Sequence, residues 1–260
     1  MLTKLIWNDV RQNKLLSAAT VFFMTVSAMM LGLTALLFSG LLGSVNALME
    51  QAQVPDLLQM HTGALEESQI SRFAGEHPEI DQWQICRFLN LSNSQVALGG
   101  HSLLDSTQDN GLCVQSEHFD YLLYMDNNRP HVLPGQVYVP VCYRARYDLN
   151  IGDTMQIGGE GLTIAGFLRD SQMNSMMASS KRFLVSQWDY ERLKPHGEEE
   201  YLIEFLLKDG GNANAVSTAY TQQGLPANGP AITKPLIRMM NALSDGTTIF
   251  VIFLTAVVVL

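Results

Sequence analysis

The sequence predicts an α+β fold, in which an α/β layer with an inserted β-rich subdomain is carried on two apolar helices. Three observations predict this fold. Long uncharged stretches lie near both ends of the 260-residue chain. Strand and helix patterns alternate at the beginning and again at the end of the segment between these stretches. The middle of that segment holds short strand patterns separated by glycine and proline, which is typical of a β-rich insertion.

The first apolar stretch predicts a transmembrane helix. Leu15–Phe38 contains 24 consecutive uncharged and mostly apolar residues, and about 20 are needed to cross the hydrocarbon core of a bilayer. The next charged residue is Glu50, so residues 15–49 are predicted to form transmembrane helix 1 and a stalk beyond the bilayer. A cleaved signal peptide is the alternative, but its apolar core is normally about 7–15 residues long, and this stretch is far longer.

The second apolar stretch is Thr247–Leu260, which reaches the last residue without a charge. It is too short to span a bilayer as a helix. Residues 235–260 are therefore predicted to form a second stalk at Pro235–Asp245 and the start of a transmembrane helix 2, which the sequence truncates.

The charges ahead of the first apolar stretch predict its orientation. Three basic residues and one acidic residue precede it: Lys4, Arg11, Lys14 and Asp9. Because positive residues favour the cytoplasmic side, residues 1–14 are predicted to be a cytoplasmic amphipathic segment, and residues 50–234 an extracytoplasmic domain. The protein is thus expected to be a multi-pass protein of the plasma or inner membrane, with the lipid bilayer as a partner.

Two parts of this domain, residues 55–96 and 200–232, carry the alternating strand and helix patterns. The predicted elements are strands at Asp56–His61, Trp83–Leu91 and Tyr201–Leu207, and helices at Glu66–Glu76 and Asn214–Gln223. The strand patterns alternate apolar and polar residues, and the helical patterns gather apolar residues on one side. Because the two parts flank the insertion, their strands are expected to pair with each other across it.

Residues 97–199 are predicted to form the β-rich insertion. Its strand patterns are Gln136–Val141, Thr154–Ile157 and Leu162–Leu168. Gly158–Gly161 lies between two of them and lacks both the spacing and the subsequent helix of a dinucleotide-binding loop, so it predicts a hairpin turn. The acidic run Glu198–Glu200 is predicted to lie in a solvated loop.

Composition and motifs exclude several classes of function. A formal net charge of −9 opposes binding to a nucleic-acid backbone. The sequence contains no phosphate-binding loop of the G-x-x-x-x-G-K-[ST] type and no G-x-S-x-G nucleophile motif. The protein is therefore predicted to be non-catalytic and to have no cofactor, and the sequence identifies no catalytic, metal-binding or substrate-binding residue.

The three cysteines are the remaining candidates for a chemical role. Cys113, Glu117 and His118 are close enough in sequence to be metal ligands, but no H-x-x-x-H or C-x-x-C pair accompanies them, which argues against a metal site. A disulfide between two of Cys86, Cys113 and Cys142 is compatible with an extracytoplasmic location. The sequence does not select the pair.

The stretch Ser171–Ser180 contains three methionines, Met173, Met176 and Met177. Methionine adapts to irregular apolar surfaces. These residues therefore form either a contact surface for a peptide or lipid-bearing partner, or ordinary core beneath the neighbouring strands, and core packing is the favoured interpretation.

Three short segments resemble elements of one transporter family. They are LPGQVYVP at Leu133–Pro140, YDLNIGDT at Tyr147–Thr154 and LTIAGFLRD at Leu162–Asp170. In order and spacing they are similar to the "G-x-V-y-V-P", "l-x-x-G-D-t" and "v-x-G-i-x-x-D" elements of FtsX-like and MacB-like ABC transporter permeases. The succession of a basic N-terminal segment, an apolar helix, a large domain and a second helix is also similar to that family.

The resemblance implies the N-terminal part of a permease with a MacB-like extracytoplasmic core domain. It implies a separate ABC ATP-binding subunit as a partner, together with a second permease half or a homodimer. ATP hydrolysis in that partner is expected to move the outer domain during export or handling of a peptide, antibiotic or lipid-linked substrate. In the resembling segments, Gly135 and Gly152 are expected to lie in turns, and Gly166 at a bulge or a close backbone approach.

A different function fits the same organisation. A two-span membrane receptor would use the outer domain as an extracytoplasmic sensor, and its second helix would lead to a cytoplasmic signalling domain. The two functions require different segments after Leu260, because a permease needs further apolar spans and a receptor needs a kinase or a dimerisation helix.

Overall fold

The computed structural model describes residues 13–175 and 178–243. The predicted N-terminal amphipathic segment, except its last two residues, lies outside the described residues. So do Met176, Met177 and the second apolar stretch, Thr247–Leu260.

Helix α1 is a single continuous helix, Lys14–Gln51, that includes both the apolar stretch and the predicted stalk. By length and composition it is the one helix of the described residues that is long and apolar enough to cross a membrane. Large apolar side chains along it are exposed, among them Leu16, Phe22 and Leu36, as is typical of a surface that a bilayer or another partner covers. The helix up to Ser44 lies outside the compact unit Val45–Ser244.

The compact unit is a mixed α/β domain with one large sheet. Its strands are β1 (Leu57–Thr62), β2 (Ile80–Leu91), β3 (Val96–Leu98), β4 (His101–Ser102), β5 (Asp109–Cys113), β6 (Gln136–Pro140), β7 (Thr154–Ile157), β8 (Glu160–Leu168), β9 (Ser180–Val185), β10 (Gly197–Leu207) and β11 (Ile232–Thr233). Its helices after α1 are α2 (Glu67–Glu76), α3 (Val141–Arg146), α4 (Gln187–Leu193), α5 (Ala213–Gln222) and α6 (Lys234–Leu243). The eleven strands are arranged in the order β11-β1-β10-β2-β5-β9-β6-β8-β7-β3-β4.

The strands from the two flanking parts pair across the insertion, as predicted. Strand β10 lies between β1 and β2 and is antiparallel to both. Helices α2 and α5 pack on one face of these strands, where Phe73 and Tyr220 contact each other and Phe205 at ring-centroid distances of 5.3–5.9 Å. The helical spacing of Ile70 and Phe73 explains this packing, because it brings both side chains onto the buried side of α2.

The strands of the insertion continue the same sheet. Strand β5 pairs with β2 on one side and, in parallel, with β9 on the other, and β6 pairs in parallel with β8. One large apolar core, which includes Leu89, Val139 and Phe183, packs across this part of the sheet. The β-rich part is therefore hydrogen-bonded directly to the α/β part.

One turn and one predicted loop test the detailed sequence interpretation. Gly158 and Gly159 have φ values of +57° and +94° and join the antiparallel pair β7 and β8, so the predicted hairpin is confirmed. The prediction of a solvated loop at Glu198–Glu200 is wrong, because these residues lie in β10 opposite β2. Their charges have partners there: the amide of Asn90 donates to Glu200 at 2.8 Å, and Lys194 Nζ lies 3.1 Å from Glu199.

We expect Gly111→Ala to destabilise the domain by about 1–3 kcal/mol, because it overpacks a filled core. A Cβ atom at Gly111 in β5 would lie 2.3 Å from Cζ of Phe88, whose ring is fully buried. Gly75→Ala in α2 is the matched control, since its Cβ meets nothing within 4 Å and alanine favours a helix. Urea unfolding should show a loss for the first variant and no loss for the second; equal effects would contradict this packing.

Candidate functional site

The first and last helices of the compact unit pack against each other. Val45 and Met49 in the last turns of α1 form one buried cluster with Val54 and with Ile237 of α6. Ile237 is only 1% exposed. The helix that enters the domain and the described helix at its end are therefore joined by apolar contact.

A loop of the domain is bonded to the two residues that directly follow α1. The backbone N–H of Asp120 donates to the carbonyl oxygen of Gln53 at 3.0 Å, and that of Tyr121 donates to Ala52 at 2.8 Å. Tyr121 also packs with Leu48 and Ala52 in a separate buried cluster. We call residues 119–123 the α1 loop.

A second loop is bonded to α6. The side-chain amide of Asn241 donates to the carbonyl oxygen of Ser171 at 2.6 Å. The same loop pairs with the α1 loop, because Leu123 and Arg169 exchange backbone hydrogen bonds of 3.1 and 2.8 Å. We call residues 169–175 the α6 loop.

A buried arginine connects the two loops. Arg182, in β9, donates to the carboxylate of Asp170 through Nε at 2.7 Å and through Nη2 at 2.6 Å. Its Nη1 donates to the carboxylate of Asp120. The three side chains are at most 3% exposed. Asp120 lies in the α1 loop and Asp170 in the α6 loop, so this Arg182 cluster holds together the parts of the domain that contact the two helices.

In the Arg182 cluster one buried cation is shared by two buried carboxyl groups. Burial alone would raise the pKa of Asp170, but the charge and hydrogen bonds of Arg182, with the N–H groups of Met173 and Gln172, lower that pKa below its ordinary value. Burial works against the charge on Arg182, whereas Asp120 and Asp170 raise its pKa. The pair of Arg182 and Asp170 is therefore ionised, and breaking it would leave a charge without its partner in the interior.

Glu204 of β10 lies beside this cluster, and its pKa is shifted in the direction opposite to that of Asp170. Its carboxyl accepts hydrogen bonds of 2.7 Å from the side-chain amides of Gln84 and Gln172, and it is fully buried. Burial raises the pKa of Glu204 well above its ordinary value, and the negative charge of Asp120 raises it further, while Arg182 and the two amides oppose the shift. Gln172 belongs to the α6 loop, so Glu204 adds a second polar link between that loop and the sheet.

We expect Glu204→Gln to stabilise the protein increasingly as the pH rises. A carboxyl whose pKa is raised by folding contributes stability that is present below its unfolded pKa and is lost as the pH rises through its folded pKa. Glutamine has the same size and no charge, so it avoids that loss. Unfolding measured at several pH values between about 5 and 9 should show a growing advantage of the variant. The exposed Glu198→Gln is the control, and a constant difference across this pH range would contradict the assignment.

The cysteines do not form the sites considered from the sequence. Cys86, Cys113 and Cys142 are each a free thiol. Cys113 is buried, which raises its pKa to about 12, whereas Glu117 and His118 are exposed. In the described ranges, no group of three or more His, Cys, Asp or Glu residues is arranged to hold a metal ion.

Met173 has the structural role that the sequence favoured. It is 5% exposed and packs with Leu58, Phe88 and Leu202 in a core cluster. For this methionine the core interpretation is confirmed, and Met176 and Met177 lie outside the described residues.

The sequence analysis assigned no role to the four charged residues that matter most at this site, although Asp170 ends one of the resembling segments. Each stands in or next to an apolar strand or a buried loop: Asp120, Asp170, Arg182 and Glu204. A charged residue inside an apolar run, such as Arg182 in SKRFLV or Glu204 in YLIEFLL, is a usable signal, because charged residues are almost never fully buried without a partner. The cluster is closed to solvent and its members bind one another. It therefore supports a mechanical link between the α1 loop and the α6 loop.

The fold and site thus define a mixed α/β domain with one large sheet and one N-terminal apolar helix. No family model matches the chain, and no curated protein matches it. Among solved structures, the crystal structure of the periplasmic region of MacB from Actinobacillus actinomycetemcomitans aligns with a TM-score of 0.39 and 11% sequence identity, over 74% of this chain and 94% of that chain.

Proposed function

We propose that this protein is a permease-type component of an ABC transporter, anchored in the plasma or inner membrane through α1, with its mixed α/β domain on the extracytoplasmic side. The observation that carries the proposal is the packing at one end of the domain, which we call its base. There α1 and α6 pack together, and the Arg182 cluster connects the loops bonded to each helix. Such a base transmits a displacement of the helices to the sheet.

The family resemblance in the sequence supports the same proposal. Gly135 and Gly152 have φ values of +81° and +99°, as turns require. Gly166 faces Tyr138, whose Cε1 would lie 2.8 Å from a Cβ at that position, beside a register shift between β6 and β8. The three resembling segments lie in and beside the adjacent strands β6, β8 and β7, so they belong to one structural unit.

In the proposed mechanism, this chain does no chemistry of its own. A separate ATP-binding subunit hydrolyses ATP, and a second permease half or a second copy of the chain completes the membrane part. Movement of α1 and α6 would then reorient the outer domain as it exports or handles a peptide, antibiotic or lipid-linked substrate. The Arg182 cluster would keep the loops at the base moving as one body.

Gentle solubilisation of the full-length protein from its own membranes tests the proposal. A P-loop ATPase should co-purify, and ATP hydrolysis by the complex should respond to Ile237→Ala, which loosens α6 from α1, but not to the neighbouring Leu236→Ala. Leu236 is 38% exposed, so it is a matched control on the same helix. Clear absence of an ATPase, or a kinase domain encoded soon after Leu260, would replace the proposal with the membrane receptor.

A further inference from the structure

Strand β2 is longer than its neighbour on one side. It pairs with β10 along its length, but β5 pairs only with Leu89–Leu91. No strand of the described ranges 13–175 and 178–243 pairs with this side of β2 between Ile80 and Phe88. Three-quarters of β2 is therefore a free edge inside a large sheet, although both ends of the sheet lie elsewhere.

The register shows which backbone groups face the free edge. In an antiparallel pair, successive residues direct their N–H and C=O groups to opposite sides. The carbonyl oxygen of Phe205 accepts from Asp56 N at 2.9 Å on the β1 side of β10. Its neighbour Glu204 therefore faces β2, where it is opposite Gln84. By the same alternation, the N–H and C=O groups of Trp83, Ile85 and Arg87 point away from β10.

A groove of about 730 Å³ runs along this free edge. Half-buried apolar side chains line it: Leu65, Trp83, Ile85 and Tyr201. The segment Val114–His118 lines it as well.

Two contacts hold that segment beside β2. Cys86 Sγ lies 3.4 Å from Ser116 Oγ, and the side-chain amide of Gln84 donates to the carbonyl oxygen of Phe119 at 3.0 Å. These contacts fix the segment beside β2, and a strand added to the free edge would lie about 4.8 Å from β2.

The charges along the groove select a basic occupant. Glu67 and Glu117 line it and are exposed. The lining cation Arg87 is already paired, with Glu191 at 2.9 Å and Glu199 at 3.6 Å. The uncompensated charge of the groove is therefore negative and attracts lysine or arginine.

We propose that this groove binds an extended segment of a partner protein, which adds to the free edge of β2 as a further strand. Alternate apolar side chains of that segment pack on Trp83, Ile85 and Tyr201, and its basic side chains face Glu67 and Glu117. Main-chain hydrogen bonds supply affinity and the alternating pockets supply specificity in this mode of recognition. The inference is independent of the transporter proposal, since a receptor would use the same edge to bind a peptide signal.

The test uses the full chain in lipid nanodiscs and a capped seven-residue synthetic peptide in which valine and threonine alternate between two terminal lysines. Hydrogen exchange resolved to single amides should show new protection at Trp83, Ile85 and Arg87, with little change at Gln84 and Cys86, which already bond to β10. The same peptide with N-methyl groups on alternate residues should give no protection. A peptide with terminal glutamates should bind more weakly than the lysine peptide, and Glu67→Gln combined with Glu117→Gln should remove that difference.

Ile85→Pro should weaken peptide binding by about tenfold, because it removes an N–H that faces the groove, while Ile85→Val, which retains the N–H, should bind as the wild type does. The wild-type exchange pattern decides the question even where the proline variant does not fold. Three results would each overturn the proposal. They are new protection at the residues that face β10, equal binding of the N-methylated peptide, and edge-to-edge dimers of the chain that exclude the peptide.

Discussion

Arg182→Met should lower the free energy of unfolding by about 3–5 kcal/mol, the usual cost of removing one partner from a buried ion group. The variant leaves the carboxylates of Asp120 and Asp170 in the interior without their cation. Methionine fills a similar volume, so the loss measures charge and hydrogen bonding more than packing. Urea unfolding of the full chain in detergent micelles, monitored by tryptophan fluorescence, gives the change directly.

Two further variants separate this explanation from a general effect of substitution. Arg72→Met changes an exposed arginine on α2 and should alter stability by no more than about 0.5 kcal/mol. Adding Asp120→Asn and Asp170→Asn to Arg182→Met removes the stranded charges, so the triple variant should be more stable than the single one. A triple variant that is less stable than Arg182→Met would contradict the electrostatic account.

Ile237→Ala should lower the free energy of unfolding by about 2–5 kcal/mol, since it leaves a cavity in a buried cluster. Ile237 is the residue of α6 that packs against Val45, Met49 and Val54. The adjacent Leu236→Ala removes a similar side chain from a partly exposed position, so it should cost much less. Hydrogen exchange provides the second measurement: amides of α6 should lose protection in the first variant and keep it in the second. Equal losses would mean that α6 is not held through Ile237.

Helices and strands whose apolar residues recur at a regular spacing were predictable from the sequence. Strand β7 has the predicted bounds, and β1, β2, α2 and α5 agree within a few residues, because their alternating or helical patterns reflect one buried and one exposed side. Strands β5 and β9 were missed. Their sequences, DNGLC and SKRFLV, show no alternation, since nearly every residue in both strands is buried, as is typical of strands covered on both faces.

Those two missed strands explain why the sequence predicted a separate β-rich part. The parallel pair β5 and β9 is what connects the two regions into one sheet, and without it they look independent. The site was missed for a related reason. The partners of Arg182 are 62 and 12 residues away, and sequence spacing alone does not reveal a contact between residues this far apart.

The contact between α1 and α6 also bears on how such a domain is gained and lost in evolution. Val45 and Ile237 belong to one buried cluster, so the chain enters and leaves the sheet at neighbouring points. Domains whose ends lie close together are tolerated as insertions in a surface loop of another protein. The segment between these two residues therefore begins and ends side by side, which is the geometry that an inserted domain requires.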